Sequence, residues 1–375
     1  MQFRDLKAQY QHLKKEIDEN IQVVINDTNF ISGLQVRELE QKLADYVGVK
    51  HCITCANGTD ALSMVLMAWE IKEGDAVFVP DFTFFSTGEV VSFEGATPIF
   101  VDVDDNTFNI KPEKLEDAIL KVLEEGKLKP RLIIPVDLFG LPADYPSIRI
   151  IADKYNLRIL EDGAQGFGGK ISNERACSFG DISTTSFFPA KPLGCYGDGG
   201  AIFVNDDNIA KYLESIRAHG KGGYKYDNIR IGCNSRLDTL QAAILLPKLK
   251  AFEEYELAAV NEIAIKYTTI LKDYVKTPVI PKDYLSSWAQ YTIQLPSESE
   301  RDGLQDYLKE NEIPSMVYYP KAMHRQEAFN NLHTYQECSV TEKLCKTVLS
   351  LPMHPYLSDD DINLIGSKIK SFICR

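Results

Sequence analysis

Basic residues are the minority among the charged residues of this 375-residue chain, and that shortage excludes several kinds of partner. Lys and Arg together number 41 against 54 Asp and Glu, which gives a formal net charge of −13. A chain this acidic is poorly suited to wrapping nucleic acid or to lying on an anionic membrane. We therefore expect neither nucleic acid nor a membrane among its partners.

Long apolar runs are also missing from the sequence. No stretch approaches the roughly 20 apolar residues that a membrane-spanning helix needs. The opening segment, MQFRDLKAQYQHLKK, carries scattered charges and lacks the apolar core of a signal peptide. We expect a cytoplasmic protein.

Paired cysteines are scarce. The eight cysteines are dispersed, and only Cys52 and Cys55 have CxxC spacing. A zinc site of this type needs two further ligands, and no second pair appears. We expect reduced thiols and no metal. Internal repeats, low-complexity segments and Gly/Ser linkers are absent as well.

Hydrophobic residues make up 44% of the chain, which is enough for a large core, and the length favours two lobes. Helical and strand patterns alternate through the first two-thirds, which predicts an α/β fold with a mostly parallel central sheet flanked by helices. A long helical stretch over about 235–272, kinked by Pro247, then leads to a smaller C-terminal α/β lobe. We predict a large domain over 1–250 and a small domain over 251–375.

Ligands of such sheets bind beyond the carboxyl ends of the strands, so polar residues directly after strands are the first candidates. The segment CANGTDAL places Gly58, Thr59 and Asp60 at the start of a helix, where free N–H groups suit a phosphate. Ordinary helix capping is the alternative explanation.

Two further strands end in residues that can carry chemistry. Asp162 ends an apolar strand in ILEDGAQ, with Gln165 three residues later, and could hold a proton on a ring nitrogen or cap a helix. Lys191 follows the strand that ends near Ser186, and an apolar setting can lower the pKa of a lysine and make it nucleophilic. The alternative is a lysine whose ammonium group reaches water.

Aromatic residues form the fourth group, in PDFTFFST, where Phe84 could stack on a flat ring or simply belong to the core. The glycines after Lys191 let the backbone pass close to a ligand, but they do not fit the GxGxxG spacing of a dinucleotide site. Phosphate donors, a ring-nitrogen carboxylate, a stacking aromatic and a Schiff-base lysine together match the needs of pyridoxal 5′-phosphate (PLP).

These motifs resemble those of the PLP-dependent nucleotide-sugar aminotransferases of the DegT/StrS type, which have fold type I. The resemblance runs nearly end to end, through FISGLQVRELEQKLADYVGVKHCITCANGTDAL, EDGAQGFGG, SFFPAKPLGCYGDGGA, RIGCNSRLDTLQAAIL, YYPKAMHRQEAF and SLPMHPYL. It departs at Gly163, where many relatives have Ala, and at Pro192, where they have Asn. Neither change removes a reactive group.

The resemblance assigns roles to the candidate residues. It implies that Lys191 bonds to the cofactor and later moves a proton, and that Asp162 pairs with the pyridine nitrogen. It further implies these cofactor contacts: Gln165 near the ring hydroxyl, Phe84 against the ring, and Gly58, Thr59, Asp60 and Ser186 at the phosphate. Asn234 is expected at the phosphate of a neighbouring subunit, which implies a homodimer with shared active sites. Arg236, Tyr318, Tyr319 and His324 are expected at the substrate.

The family reaction moves an amino group from a donor, typically glutamate, to a keto group of a nucleotide-linked sugar. The resemblance is greatest to members acting on UDP-linked 3-keto sugars in surface polysaccharide or O-antigen sugar biosynthesis. Alternatives are a 4-keto sugar aminotransferase, an amino-acid aminotransferase, and a non-catalytic nucleotide-sugar-binding regulator. The glycine spacing and Lys191 both oppose a Rossmann dehydrogenase.

Both substrates are anions, so a local reversal of charge is expected. The segment 217–236 has five basic residues against Asp227 alone, namely Arg217, Lys221, Lys225, Arg230 and Arg236. We hypothesise that it guides the diphosphate or the glutamate carboxylate to the site. A solvated loop with ordinary surface charge is the alternative.

Overall fold

The computed structural model describes residues 1–224 and 226–375, and within them helices and strands alternate as expected. The helices are α1 (Leu6–Asp27), α2 (Leu34–Val47), α3 (Gly58–Ala68), α4 (Ser86–Phe93), α5 (Pro112–Glu125), α6 (Tyr145–Tyr155), α7 (Asp207–Ile216), α8 (Thr239–Ala251), α9 (Leu257–Leu271), α10 (Glu298–Glu310), α11 (Ser339–Thr347) and α12 (Asp359–Ile373). The strands are β1 (His51–Cys55), β2 (Asp75–Pro80), β3 (Thr97–Val101), β4 (Lys129–Ile133), β5 (Arg158–Asp162), β6 (Lys170–Ile171), β7 (Glu174–Arg175), β8 (Ile182–Ser186), β9 (Gly200–Val204), β10 (Tyr284–Leu285), β11 (Tyr291–Gln294) and β12 (Val348–Leu351).

Seven strands form the central sheet in the order β1-β9-β8-β5-β4-β2-β3. Strand β9 is antiparallel to both of its neighbours, and the remaining pairs are parallel. This confirms the mostly parallel sheet. The carboxyl ends of β2, β5 and β8 therefore meet at one edge, which is where the candidate residues were expected.

Helices cover both faces of this sheet because its strands alternate between two apolar layers. Val77 and Val79 of β2 pack in a cluster with α3, α4 and α7. Ala76 and Phe78 point to the opposite face and pack with α5 and α6. Successive side chains of a strand point to opposite faces, so a strand buried on both sides reads as a continuous apolar run.

Helix α2 shows how the sequence sets a local boundary. Val36, Leu39 and Leu43 are buried on one face, as their spacing predicts. The helix ends at Gly48, whose φ of 88° is left-handed and whose N–H donates to the Ala44 carbonyl. A glycine meets this conformation without steric cost, so it stops the helix where the sequence indicates.

The long helical stretch is interrupted, but not at Pro247. Helix α8 continues to Ala251, and a π-helical turn at Phe252–Glu256 then joins it to α9. Pro247 has no N–H for the carbonyl of Ala243, and the side chain of Asn20 donates to that carbonyl at 3.2 Å instead. The change of helix type thus falls five residues beyond the proline.

The C-terminal part has an apolar cluster of its own. Its buried members run from Val260 to Ile369 and include residues of the antiparallel pair β11–β12 and of α9, α10 and α12. The division near residue 250 stays a prediction, and such a cluster is what it requires. Of the helices in the described ranges, none has both the length and the apolar character to cross a bilayer.

Candidate active site

A cavity of about 1040 Å³ opens at the carboxyl edge of the sheet. It collects ten of the residues predicted for the site: Gly58, Thr59, Asp60, Phe84, Asp162, Gln165, Ser186, Lys191, Tyr318 and Tyr319. Three other predicted residues, Asn234, Arg236 and His324, are not among the residues that line it. The fold thus brings together side chains that lie up to 261 positions apart, from 58 to 319.

The start of α3 forms one end of the cavity and presents N–H groups. Asn57 caps the helix, and its Oδ1 accepts the N–H of Asp60 at 2.8 Å. The N–H groups of Gly58 and Thr59 have no acceptor among the described residues. Unpaired N–H groups at the positive end of a helix suit a phosphate, so Gly58 and Thr59 fit their predicted role. The Asp60 N–H already donates to Asn57, so Asp60 contributes less to a phosphate site than Gly58 and Thr59 do.

Ser186 lies directly against this helix start. A Cβ added to Gly58 would meet the Cβ of Ser186 at 2.8 Å, so glycine is required for the contact. A Cβ on Gly200 would meet the Asn57 carbonyl at 2.5 Å. Gly200 therefore lets β9 pack against the start of α3. The sequence had instead suggested that the backbone at this glycine passes close to a ligand.

Asp162 is a buried carboxylate at the end of β5. Its Oδ2 accepts from the Thr87 hydroxyl at 2.8 Å, and its Oδ1 accepts the Ala164 N–H at 3.2 Å. Burial raises its pKa, although those two hydrogen bonds and the charge of Lys191 oppose the shift. Within the described part of the chain no cationic side chain comes within ion-pair distance of it, which leaves it free to face a positively charged ring nitrogen.

Lys191 lies across the cavity on the loop after β8. Burial lowers its pKa, attraction to Asp162 raises it, and repulsion from Arg4 lowers it again. A lowered pKa increases the fraction of neutral amine at physiological pH, and the neutral amine is the nucleophilic and basic form. The lysine is therefore suited to bond with an aldehyde and to move a proton.

Gln165 links the sheet edge to the C-terminal segment. Its Oε1 accepts the Phe139 N–H at 2.9 Å, and its Nε2 donates to the Tyr319 hydroxyl at 3.1 Å. Burial raises the pKa of Tyr319, so its hydroxyl keeps its proton. Phe84 is 54% exposed, and its ring centroid lies 6.4 Å from that of Tyr319. An aromatic face left open in a cavity suits a stacked ring.

These features fit PLP. The unpaired N–H groups of Gly58 and Thr59 with the Ser186 hydroxyl would hold its phosphate, Asp162 its ring nitrogen, Phe84 its ring face, and Lys191 its aldehyde carbon. Each of these groups is unpaired or half-satisfied in the structure, as a site built for another molecule requires.

His324 is engaged elsewhere. Its ring Nδ1 lies 2.7 Å from Oδ2 of Asp81, and its main-chain N–H donates to Oδ1 of the same residue at 2.9 Å. Two ligands of one zinc ion would lie about 3.3 Å apart, so this is a direct hydrogen bond, although Cys338 is also near. Asp81 precedes the aromatic loop of Phe84, so the pair ties that loop to the C-terminal segment.

The basic segment 217–236 lies outside the cavity lining. Arg217 forms an ion pair with Glu40 at 2.6 Å, and Arg236 donates to Oδ1 of the exposed Asn234 at 2.7 Å. Arg236 also lines a separate cavity of about 360 Å³ with Arg217. Lys225, which the guidance hypothesis includes, lies outside the described residues.

Two positions near the chemistry escaped sequence reasoning. Thr87, which orients Asp162, lies in the first turn of α4 at the end of the quoted aromatic stretch, and nothing in the sequence indicates its contact with Asp162. Arg4 donates to the main-chain carbonyl of Lys191 from a segment 187 residues away, and nothing in the sequence indicates that contact.

A groove of about 1150 Å³ lies elsewhere, between α1, α2 and α8. Its lining contains none of the predicted site residues and is rich in carboxylates, among them Glu16, Glu38 and Glu253. A surface of that charge repels anionic substrates, so we place the chemistry in the cavity of Lys191.

The fold and the cavity define a class first. A sheet with one antiparallel strand, a lysine and a carboxylate facing one cavity, and a helix start for a phosphate describe a PLP-dependent transferase of fold type I. The sequence matches the DegT/DnrJ/EryC1/StrS aminotransferase family over residues 11–370, and the chain belongs to that family. The expected family, its PLP cofactor and its transaminase activity are thereby confirmed.

Individual relatives agree with this membership. The chain is 45% identical over 366 residues to the UDP-2-acetamido-2-deoxy-3-oxo-D-glucuronate aminotransferase of Pseudomonas aeruginosa, covering 97% of this chain and 98% of that one. It is 40% identical to the UDP-N-acetyl-3-dehydro-alpha-D-glucosamine 3-aminotransferase of Acidithiobacillus ferrooxidans, covering 98% and 96%. A crystal structure of a DegT DnrJ EryC1 StrS aminotransferase from Brucella abortus superimposes with a TM-score of 0.97 at 49% identity, with both chains fully covered.

Proposed function

We propose that this protein transfers an amino group from glutamate to the keto group of a UDP-linked 3-keto sugar, in surface polysaccharide or O-antigen sugar biosynthesis. The observation that carries the proposal is the placement of Lys191 and Asp162 in one cavity, together with the phosphate site at the start of α3. The two relatives reported above are both named for a 3-oxo or 3-dehydro sugar linked to UDP, which supports the 3-keto position over the 4-keto alternative.

Bound PLP supplies an electron sink and a carrier for the amino group. The chain's own residues do the rest. Asp162, oriented by Thr87 and kept from water, favours a positive ring nitrogen because its own charge is otherwise uncompensated. Lys191 Nζ would take a proton from the substrate carbon that bears the amino group, acting as a base, and would later give that proton up, acting as an acid.

The substrate end of the cavity is formed by the C-terminal segment. Tyr318 and Tyr319 line it, and the hydrogen bond from Gln165 fixes the hydroxyl of Tyr319. We assign these two tyrosines to sugar binding. His324 lies outside the cavity lining and is hydrogen-bonded to Asp81, so we assign it to holding the segment in place.

The charge of the cavity supports a site that is completed by a second subunit. The described lining has four carboxylates, Asp60, Glu89, Asp162 and Asp198, against two lysines, Lys191 and Lys321. A nucleotide diphosphate needs more positive charge than this. We therefore propose a homodimer in which Asn234 and Arg236 reach the neighbouring subunit's site.

A cytoplasmic location is part of the proposal. All eight cysteines are free in the structure, although Cys52 and Cys55 lie close in sequence. Unpaired cysteines in this number are typical of a reducing compartment.

The test is a half-reaction. The enzyme is loaded with pyridoxamine phosphate and mixed in turn with UDP-3-keto, UDP-4-keto and dTDP-keto sugars and with simple keto acids. We expect the visible absorbance of the aldehyde form to return fastest with a UDP-3-keto sugar. Faster return with a 4-keto sugar supports the alternative, and return with keto acids alone contradicts the sugar assignment. The Lys191→Ala variant should give no catalytic return.

A further inference from the structure

Arg4 contacts the reactive lysine from the start of the chain. Its Nη2 donates to the carbonyl oxygen of Lys191 at 2.7 Å and to that of Pro192 at 3.3 Å. The next residue, Asp5, caps helix α1 by accepting the Ala8 N–H at 2.8 Å, so the position of Arg4 is fixed by the helix that follows. A guanidinium group that spans two successive carbonyls constrains the main chain of the residue that carries the amine.

No carboxylate of residues 1–224 or 226–375 comes within 4.0 Å of this guanidinium. Burial lowers the pKa of Arg4 to about 10, and attraction to Glu256 opposes the shift. Glu256 itself accepts hydrogen bonds from Gln9 at 2.9 Å and from Tyr356 at 2.6 Å. Arg4 is therefore charged at neutral pH, and its charge is only partly compensated.

That charge acts on Lys191. Three influences set the pKa of Lys191. Burial lowers it, attraction to Asp162 on β5 raises it, and repulsion from Arg4 on the N-terminal segment lowers it. Lys248 and His354 also face Arg4, and both feel repulsion from it. A positive charge in a partly dry region repels a neighbouring positive charge more strongly than it would in water.

We propose that Arg4 is a positioning residue for Lys191. The guanidinium group of Arg4 fixes the main chain of the lysine and disfavours a second positive charge on Nζ. The inference rests on the proposed function, since it concerns the lysine that bonds to the cofactor. It goes beyond that function because Arg4 does not line the cavity and touches no reacting atom.

Lys248 shows what a purely structural contact to the same loop looks like. This buried lysine donates to the Gly194 carbonyl at 2.5 Å, three residues after Lys191. It is not among the groups whose charge acts on Nζ. Loosening the loop through Lys248 and removing the charge of Arg4 should therefore have different consequences.

The experiment is a pH titration of the visible absorbance of the cofactor-loaded enzyme, which reports protonation of the nitrogen that joins Lys191 to the cofactor. For Arg4→Gln we expect the midpoint to rise by about half a unit to one unit, because a repelling charge is gone. Arg4→Lys keeps the charge and should stay close to wild type. Arg158→Gln, a guanidinium at the far end of β5, and Lys248→Met should leave the midpoint unchanged.

An unchanged midpoint in Arg4→Gln, or an equal shift in Arg4→Lys, overturns the proposal. If Arg4→Gln does not fold, Arg4→Lys decides the question. For this variant we expect a near-wild-type midpoint and a several-fold lower kcat, because the two hydrogen bonds from Nη2 to the carbonyls of Lys191 and Pro192 are lost. A shifted midpoint or an unchanged kcat then contradicts it. A wild-type enzyme without pH-dependent visible absorbance would instead count against the proposed function, so the two failures are distinguishable.

Discussion

Lys191 and Asp162 face one cavity, yet burial moves their pKa values in opposite directions. It lowers the pKa of the lysine and raises that of the carboxyl group, so both shifts favour the neutral forms. A positive ring nitrogen beside Asp162 would restore the charge of that carboxylate without affecting the neutral amine. Asp162 and Lys191 would therefore hold a cofactor whose ring nitrogen is positive, since that charge would compensate the buried carboxylate.

Asp162→Asn should lower kcat by about two orders of magnitude or more, because a neutral amide cannot hold a proton on the ring nitrogen. Thr87→Val removes only one hydrogen bond to that carboxylate and should cost about tenfold or less in kcat. Steady-state kinetics would test the ranking. Thr347→Val is the matched control for Thr87→Val. Thr347 is a buried threonine whose hydroxyl donates to the Lys343 carbonyl within α11. Equal losses in Asp162→Asn and Thr347→Val would contradict the assignment.

A second buried carboxyl group, Asp137, lies beside Glu161. Glu161 accepts from Cys177, Phe179 and Ser183, whereas Oδ2 of Asp137 is buried and has no hydrogen-bond partner among the described residues. Burial and the charge of Glu161 raise the pKa of Asp137 well above its usual value, so Asp137 holds the proton.

The raised pKa of Asp137 predicts a pH dependence of stability. Its contribution is complete below the unfolded pKa of about 3.9 and is lost as the pH rises through the folded pKa. Asp137→Asn keeps a donor and has no proton to lose, so its unfolding free energy should fall less than that of wild type between about pH 5 and about pH 8. Denaturant unfolding at several pH values would measure the unfolding free energies. The same dependence on pH in Asp137→Asn and in wild type would refute the prediction.

Sequence reasoning at this scale found the residues that end strands and missed those that support them. Lys191 and Asp162 were predictable because a polar residue after an apolar strand stands out. Thr87 lies 75 positions from Asp162 and Arg4 lies 187 positions from Lys191. Only the folded topology brings such pairs together, so no local pattern could indicate them.

At the level of elements, the loop after β2 and the C-terminal segment 318–326 form two walls of one cavity. The pair of Asp81 and His324 joins them, with a second contact from the Met323 N–H to the Asp81 carbonyl at 3.0 Å. The hydrogen bond to Asp81 raises the pKa of His324 above 6.5. A protonated His324 therefore stabilises the closed arrangement of the walls.

His324→Gln should destabilise the protein by about 1–2 kcal/mol in acid. Since the folded pKa of His324 is raised, the stabilising contribution is complete below about pH 6.5 and is lost as the pH rises through the folded pKa. The difference between variant and wild type should therefore shrink in alkali, as thermal unfolding would show. His333→Gln removes an exposed histidine paired with Glu125 and should change little. A difference that grows with pH would contradict this account.

The sequence predicted an element boundary correctly where one residue dictates it. The prediction was wrong where several residues compete. Gly48 ends α2 because only glycine takes its backbone angle easily. Pro247 does not end α8, because Asn20 satisfies the carbonyl that the proline leaves open and α1 packs against that helix. That compensation comes from a separate helix and is invisible in the local pattern.

At the level of the whole molecule, the alternating pattern predicted a parallel sheet with helices on both faces. It did not predict the position or the direction of β9, which lies between β1 and β8 and is antiparallel to both. An apolar strand reads alike in either direction, so only the pairing in the folded sheet decides it. The two-lobed division and the shared active site remain predictions at this scale.

Complementation tests the shared site. In a mixed dimer of Lys191→Ala and Asn234→Ala subunits, one site regains both groups, so co-expressed subunits should recover about a quarter of wild-type activity. A mixture of Lys191→Ala with Asp162→Asn should recover nothing, because both groups belong to one subunit's site. Purification with two different tags would isolate the mixed dimers. No gain with Asn234→Ala, or a gain in both mixtures, would exclude the proposed sharing.

The central claim, that Lys191 bonds to the cofactor, is tested most directly by chemical trapping. Borohydride adds hydride across the carbon–nitrogen double bond and leaves a stable secondary amine, which peptide mass spectrometry can locate. We predict one phosphopyridoxyl group per chain, on Lys191, and none in the Lys191→Ala variant treated in the same way. A label on another lysine, or wild-type protein that carries no label after incubation with PLP, would contradict the account.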